Sequence, residues 1–454
     1  MSADERFDEL SALATGRMDE HVVPGVALGV LSDGDTRTAG LGVTSVEHPL
    51  EVTPQTLFQI GSITKTLTAT LAMRLVEDGA LDLDAPLRRY LPDLRLADEG
   101  VAAAVTMRHV LTHTGGWAGD YFDDPGSGDD ALALMTQRLG RVEQLTPVGE
   151  VWSYNNSGFY LAGRVIEVLA EKPYETVARE LLLEPLGMTS SFFFAADVIT
   201  HRFAVGHITR QRKSSVARPW GLARCANAAG GLISSVEDVL QYARFHLGDG
   251  TVEGGTRIVS GESLRAMREP QAEIGGLHRD AVGIAWMIRD RGGKRVVGHD
   301  GGTMGQVARL WIVPEEGFAV VVLTNSDEGG HITLDATTAA LDAYCGIEDS
   351  EPKPIARPAP ELQEYLGRYD SQLAELELEA EDGGLRGTMT LKGGFPTPDT
   401  PPPPPFPPGH FAFHGDDRVS GHGEFRGSDG EFLRDDAGEI EWFRFGGRLF
   451  RPLR

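Results

Sequence analysis

The chain has 454 residues, a formal net charge of −25 and 41% hydrophobic residues. This length predicts more than one folding unit, and the hydrophobic content suffices for a sizeable core. Nucleic acids and anionic membranes require a basic surface, so we expect neither as a partner. The sequence shows no signal-peptide pattern and no apolar run of transmembrane length, and its two cysteines fit a reducing compartment. These patterns predict a cytoplasmic protein.

Residues 1–347 carry the patterns of a large mixed domain. Apolar segments on either side of a Ser-Asp-Gly-Asp turn predict a β-hairpin over 25–43, and a similar pattern predicts another over 307–323. Helical patterns lie between the hairpins, at 64–78, 157–170 and 236–246. We therefore expect an α/β (α+β) fold in which both chain ends build one antiparallel sheet, with flanking helices and an inserted helical region.

The remaining sequence divides into a linker and a second domain. Residues 348–360 are acidic and then proline-rich, which predicts an extended linker. From 361 to 454, short alternating segments between Gly and Asp turns predict a small all-β barrel. The insertion 395–408 has too many prolines to pair in a sheet and should form a polyproline loop. We interpret this loop as a rigid connection, with a docking motif or a lid over the first domain as the alternative.

The first chemical motif is Ser62-Ile-Thr-Lys65, at the start of a helical pattern. Residues at i and i+3 share one helix face, so the lysine amine can reach the serine hydroxyl and accept its proton. Lys65 is one of only six lysines in the chain. The same pattern recurs from Ser350 to Lys353, but there it lies in the proline-rich linker, where a helix start is not expected.

Two further motifs contain groups that can serve the same site. Tyr154-Asn-Asn156 precedes a helical pattern, and a phenol near a lysine can relay a proton while the Asn156 amide holds a substrate carbonyl. His299-Asp-Gly301-Gly302 leads into the strand of the second hairpin, where glycines permit a substrate to approach the backbone. A turn with a half-buried tyrosine is the alternative interpretation of the Tyr154 motif.

The order Ser-x-x-Lys, Tyr-x-Asn, His-x-Gly resembles the penicillin-recognising serine enzymes, which include class C β-lactamases, D,D-peptidases, D-aminopeptidases and esterases. The resemblance covers most of residues 1–345 and implies the β-lactamase/transpeptidase-like fold. The segment that opens at 362–369 is similar to the lipocalin-like barrel attached to some members. By this resemblance Ser62 attacks an ester or amide carbonyl with help from Lys65 and Tyr154. The backbone N–H groups of Ser62 and Gly302 form the oxyanion hole. The sequence leaves open whether Lys65 or Tyr154 is the base.

One departure narrows the expected substrates. Many β-lactamases carry a lysine where this chain has His299, and a histidine with an ordinary pKa is mostly neutral at pH 7. We therefore expect a peptidase or esterase acting on a small-molecule ester or peptide, with weak or no β-lactamase activity and possible selectivity for D-residues. The alternatives are an acyltransferase or peptide cyclase that uses the same serine, and a binding protein that retains the pocket without catalysis.

The aromatic residues near the motifs are weaker candidates. Trp117, Tyr121 and Trp220, with Gly301, are candidate substrate-binding residues, although core packing is the alternative for each aromatic side chain. His109 and His113 are spaced like metal ligands, but the sequence shows no third ligand beside them. We predict neither a cofactor nor a metal.

Overall fold

The two ends of the first domain enter one large antiparallel sheet. The computed structural model describes residues 2–252, 254–276, 279–348, 353–402, 405 and 407–453. Within these residues the helices are α1 Ala3–His21, α2 Thr64–Glu77, α3 Glu99–Ala104, α4 Met107–Leu111, α5 Ala131–Arg138, α6 Ser157–Ala170, α7 Tyr174–Ala178, α8 Ala195–Val198, α9 Asn227–Gly230, α10 Val236–Leu247, α11 Gly261–Ala266, α12 Gly329–Cys345 and α13 Ala359–Leu362.

The described strands of the first 345 residues form one large sheet and two small ones. In chain order they are β1 Gly25–Ser32, β2 Asp35–Gly42, β3 Phe58–Gln59, β4 Ser191–Phe192, β5 His207–Arg210, β6 Lys213–Val216, β7 Ile233–Ser234, β8 Ala272–Glu273, β9 Ala281–Val282, β10 Met287–Arg291, β11 Lys294–Thr303, β12 Gln306–Val313 and β13 Phe318–Thr324. The large sheet has the order β2-β1-β13-β12-β11-β10-β9-β8. The predicted sheet built from both chain ends is thereby confirmed.

Alternation along the central strands gives the sheet two apolar faces. Val26, Leu28 and Val30 of β1 face a core shared with α1 and α12, whereas Val321 and Leu323 of β13 face the larger core of the inserted helices. Burial of each such side chain contributes about 1.5–3 kcal/mol. The sheet therefore packs against helices on both faces. Its strand β11 packs against the turn that leads into α2.

The C-terminal residues form a closed barrel. Its eight described strands are β14 Gly367–Asp370, β15 Ala374–Glu381, β16 Gly384–Leu391, β17 Gly409–Phe413, β18 Arg418–His422, β19 Asp429–Arg434, β20 Ile440–Phe445 and β21 Arg448–Leu453. Pairing of β14 with β21 closes the barrel around an aromatic core that includes Tyr369, Phe411 and Phe443. The predicted all-β barrel is confirmed. The proline-rich insertion connects β16 to β17, and Phe395 within it packs edge-on against Phe122 of the first domain.

Parts of two predicted segments lie outside the described residues, namely 349–352 of the linker and 403–404 and 406 of the proline-rich loop. Ser350 of the second Ser-x-x-Lys match is among them. In the part of the chain that is described, no helix is both long enough and apolar enough to cross a bilayer.

Candidate active site

Ser62 lies at the point where the chain turns into α2. It occupies a 3-10 turn, Gly61–Ile63, that leads directly into this helix, and its side chain is partly exposed. Gly61 has φ 53°, and a Cβ added there would lie 2.6 Å from the amide nitrogen of Gly302. Only glycine avoids both the backbone strain and this contact. The serine is therefore held at a helix N-terminus, where the helix dipole favours negative charge.

Lys65 is fully buried one helical turn after Ser62. Its Nζ donates to Ser62 Oγ at 2.9 Å and to the carbonyl oxygen of Ala229 at 2.6 Å. Burial lowers the pKa of Lys65 well below its ordinary value, and repulsion from Arg448 lowers it further, whereas Asp120 acts in the opposite direction. The lowered pKa favours the neutral amine, which is the form that can accept the proton of the serine hydroxyl.

Tyr154 covers the other side of this pair. The Lys65 Nζ lies 5.1 Å from the centre of its ring, and the ring of His113 stacks on it at 4.4 Å. Burial raises the pKa of the Tyr154 phenol well above its ordinary value, although a hydrogen bond with Ser62 and the charge of Arg448 lower it in part. The phenol therefore stays protonated at neutral pH and is placed to donate a proton.

The side-chain amide of Asn156 is hydrogen-bonded to Asp120 in this structure. Its Nδ2 donates to Asp120 Oδ1 at 2.7 Å, and the Asp120 carboxylate also forms an ion pair with Arg448 at 3.0 Å. Arg448 belongs to the barrel, and its guanidinium lies 4.6 Å from the centre of the Tyr154 ring. A cation from the second domain is thus built into the site, and one N–H of the Asn156 amide is held by Asp120.

The structure fixes the tautomer of His299. Its Nδ1 lies 2.6 Å from the backbone carbonyl of Asp300, which requires an N–H on this nitrogen. The other nitrogen, Nε2, is buried and has no hydrogen-bond partner among the described residues. Burial lowers the pKa of His299 to about 3, with a further contribution from Lys65, so the ring is neutral at pH 7. The ring therefore has a hydrogen-bond acceptor that is unpaired among the described residues, and no positive charge.

Asp300 anchors the strand segment that carries His299. Its carboxylate pairs with Arg309 at 2.8 Å and Arg279 at 2.7 Å, and accepts a hydrogen bond from Trp311 Nε1 at 3.0 Å. Burial opposes ionisation, but the two arginines outweigh it and hold the pKa of Asp300 below its ordinary value. This pairing fixes β11 where it meets α2.

Two glycines of β11 bring its backbone against Ser62. A Cβ on Gly301 would lie 1.9 Å from the carbonyl oxygen of Ile60 and 3.2 Å from the Ser62 amide nitrogen. At Gly302 a Cβ would meet nothing within 4 Å, so open space adjoins the strand at this residue. The backbone at Gly61–Ser62 is therefore in close contact with the backbone at Gly301–Gly302, a proximity that the predicted oxyanion hole would require.

A cavity of about 270 Å³ adjoins the site beside the Gly230–Gly231 backbone. Trp220 lines it together with Phe193, and Gln59 lies at the same wall. Of the other candidate aromatic residues, Trp117 is buried in the core and donates to Ser157 Oγ at 2.9 Å. Tyr121 is half-buried, and its hydroxyl donates to Asp123 at 3.2 Å.

Several site residues were missed by the sequence analysis. His113, Ala229 and Arg448 contact the Ser62–Lys65–Tyr154 group, and Asp120 binds both Asn156 and Arg448. None of the four belongs to a motif whose spacing indicates catalysis. The spacing of His113 from His109 fits a metal ligand, but packing or hydrogen bonding was the favoured interpretation, and its Nδ1 accepts from the Asn155 amide at 3.0 Å. Only contacts between distant segments reveal these four residues.

Comparison with known proteins agrees with this geometry. The family model described as Beta-lactamase matches residues 10–344. Penicillin-binding protein 4 from Amycolatopsis lactamdurans is 34% identical over 375 residues, which cover 81% of this chain and 97% of that protein. The crystal structure of SurE with D-Leu superposes with a TM-score of 0.73 at 28% identity and covers 100% of both chains. The D-amino acid amidase from Ochrobactrum anthropi SV3, complexed with L-phenylalanine amide, gives a TM-score of 0.61 at 26% identity, covering 74% of this chain and 99% of that one. The chain therefore belongs to the beta-lactamase family and is a serine hydrolase.

Proposed function

We propose that the enzyme cleaves small peptide amides or esters through an acyl-enzyme on Ser62. The observation that carries this proposal is the fully buried Lys65 amine, 2.9 Å from the Ser62 hydroxyl, whose pKa is lowered by that burial. A neutral amine at hydrogen-bond distance solves the main problem of serine catalysis, which is the weak nucleophilicity of the free hydroxyl.

In the acylation step, Lys65 Nζ takes the hydroxyl proton as Ser62 Oγ bonds to the substrate carbonyl carbon. The carbonyl oxygen becomes an oxyanion and accepts from the amides of Ser62 and Gly302. As the C–N or C–O bond breaks, the Tyr154 phenol gives its proton to the leaving group, and the Lys65 ammonium then returns a proton to the phenolate. The opposite pKa shifts support Lys65 as the base and Tyr154 as the acid.

In the deacylation step, water attacks the ester carbon of the acyl-enzyme while Lys65 takes one of its protons. The bond to Ser62 Oγ breaks, and this proton returns to the serine oxygen as the acid product leaves. The neutral His299 can accept a hydrogen bond from a substrate N–H at Nε2 but supplies no cation. This supports substrates other than β-lactam antibiotics, with weak or no β-lactamase activity.

We further propose that the enzyme prefers an acyl group or a leaving group with a D-configured residue. Support comes from the relatives, since SurE was solved with D-Leu and the amidase from Ochrobactrum anthropi is named for D-amino acids. The cavity of about 270 Å³ beside Trp220 is large enough for one amino-acid side chain and its neighbour.

A matched library tests this proposal. Pairs of D- and L-amino-acid amides, esters and dipeptides are incubated with the wild-type enzyme and with Ser62→Ala, and products are quantified by mass spectrometry. We expect wild-type turnover with a preference for the D-member of the pairs, and no turnover by Ser62→Ala. A parallel arm with an added amine separates hydrolysis from acyl transfer. Equal turnover by wild type and Ser62→Ala would refute the proposal.

A further inference from the structure

A cluster of metal-ligating side chains lies far along the chain from the catalytic motifs. His21 is the last residue of α1, Glu328 immediately precedes α12, and His331 lies in the first turn of α12. One donor atom from each side chain lies within 4.8 Å of the other two. The two imidazole rings stack in parallel at 4.1 Å, and His331 Nε2 lies 3.8 Å from Glu328 Oε2.

The three donors are not committed to other partners. Among the described residues, neither imidazole has a hydrogen bond, and the Glu328 carboxylate contacts no cation other than His331. Glu328 is partly buried near the carboxylates of Asp327 and Glu424, and the charge of Arg210 only partly offsets these three negative charges. A bound cation would offset them further.

Side chains of both charges surround the two histidines. Arg17 and Arg426 both lie close by, but each is held by the carboxylate of Asp335, at 2.7 and 2.6 Å. Their charge is thus shared with a buried acid, and Glu20 with Glu424 adds further negative charge around the two histidines. The neutral imidazole ring is the form that binds a metal.

From this cluster we infer that His21, Glu328 and His331 form a divalent transition-metal site, with Zn²⁺ the best-matched ion. Two imidazole nitrogens and one carboxylate oxygen are a common zinc ligand set, with water completing a tetrahedron. Bonds of about 2.0–2.1 Å place neighbouring ligand atoms about 3.3 Å apart, so side-chain rotation must close roughly 1.5 Å. All three side chains keep part of their surface exposed, which permits that rotation.

The position of the site indicates its effect. A metal there would join the end of α1 to the start of α12, the two helices that cover one face of the large sheet. Asp335, one turn further along α12, is the residue that Arg426 of the barrel binds. The metal would therefore clamp two helices next to the contact between the domains and raise the stability of the folded chain without touching Ser62.

Zinc titration of the metal-free, tag-free full chain tests the inference. We expect calorimetry to give one saturable equivalent of Zn²⁺, with a rise in Tm on binding. In His21→Ala and His331→Ala the affinity for Zn²⁺ should fall at least about tenfold. The rise in Tm at the same Zn²⁺ concentration should shrink accordingly. The matched control is His410→Ala, because His410 pairs with Glu381 on the barrel surface as one imidazole and one carboxylate without a third donor. Binding in this control should equal that of the wild type.

Cobalt provides a measurement that does not depend on a substitution. Co²⁺ bound to the wild-type chain should show the visible absorption of a four-coordinate site, and one equivalent of Zn²⁺ should displace it. If His21→Ala does not fold, Glu328→Gln, which changes a partly exposed side chain, takes its place. It should weaken the binding of Zn²⁺ and Co²⁺ in the same way. Absence of one-equivalent binding by the wild type, or equal affinity in the wild type and the ligand variants, would overturn the inference.

Discussion

The backbone N–H of Tyr154 donates to the carbonyl of Gly447 at 2.7 Å, which joins the candidate proton donor to a turn of the C-terminal barrel. The next residue, Arg448, places its guanidinium over the Tyr154 ring and pairs with Asp120. Arg444 of the same hairpin donates to the carbonyl of Trp152 at 3.2 Å. The barrel is therefore part of the active-site wall, and its last hairpin positions the Tyr154 motif.

Removal of the Arg448 charge should impair catalysis. In Arg448→Ala, the Tyr154 phenolate loses a nearby cation and Asp120 loses its ion-pair partner, so we expect kcat/KM to fall at least about tenfold, equivalent to about 1.4 kcal/mol of transition-state stabilisation. Arg448→Lys should retain part of the activity. Arg451→Ala is the control. Arg451 lies three residues after Arg448 on the same strand and pairs with the exposed Glu143. Wild-type kinetics of Arg448→Ala on an ester and on an amide substrate would contradict the role of this cation.

The approach of β11 to Ser62 should tolerate no side chain at Gly301. A methyl group there would overlap the Ile60 carbonyl and shift the strand that carries the Gly302 amide. We expect Gly301→Ala to lower kcat by about 100-fold or more, in the range measured for the loss of an oxyanion donor. Gly330→Ala, at an open position in the first turn of α12, is the control and should keep wild-type kinetics. Equal kcat in Gly301→Ala and Gly330→Ala would show that close packing of β11 against Ser62 is not needed for catalysis.

The buried lysine should leave a signature in the pH dependence of stability. The pKa of Lys65 is lower in the folded than in the unfolded chain, so the unfolded chain binds an additional proton at pH values between the two pKa values. Stability must therefore rise with pH through this window, up to the ordinary lysine pKa near 10.5. The difference in unfolding free energy between wild type and Lys65→Met should grow in favour of the wild type as the pH rises from 7 to 10. Urea unfolding across this range measures it, and a difference that does not change with pH would contradict a depressed pKa.

The cavity beside Trp220 should select substrates by side-chain size. In Trp220→Ala the indole that lines this cavity is lost, together with its hydrogen bond to the Ala204 carbonyl at 3.1 Å. We expect KM to change several-fold for substrates with a bulky side chain and to stay close to the wild-type value for alanine derivatives. Steady-state kinetics on such a matched pair of esters checks this. An equal change in KM for both substrates would place the bound side chain elsewhere.

The sequence predicted much of this fold because local patterns determine the elements concerned. The hairpin of β12 and β13 and the helix α6 are strongly apolar, and their boundaries agree with the predicted ones within a residue or two. Strands β14, β18 and β21 were not predicted, since their sequences, Gly-Arg-Tyr-Asp, Arg-Val-Ser-Gly-His and Arg-Leu-Phe-Arg-Pro-Leu, contain little apolar alternation. Pairing with neighbouring strands in the closed barrel, rather than local propensity, makes these segments extended.

The candidate site divides in the same way. Ser62 and Lys65 are three residues apart on one helix, so their contact follows from helix geometry alone. The contact between Asn156 and Asp120 joins residues 36 positions apart, and that between Arg448 and Asp120 joins residues 328 positions apart. No periodicity encodes such contacts. The neutral state of His299 was expected from the ordinary histidine pKa. That burial lowers this pKa further could be seen only from the residues that surround the ring in the fold.

Intact-mass analysis of the enzyme after exposure to a serine-directed fluorophosphonate tests the central claim most directly. The account predicts that one adduct forms on the wild-type chain, that it maps to the peptide containing Ser62, and that it is absent from Ser62→Ala. Lys65→Met should remain folded and label at least about 100-fold more slowly, because the base that activates the serine is missing. An adduct on another residue, or labelling of Lys65→Met at the wild-type rate, would contradict the account.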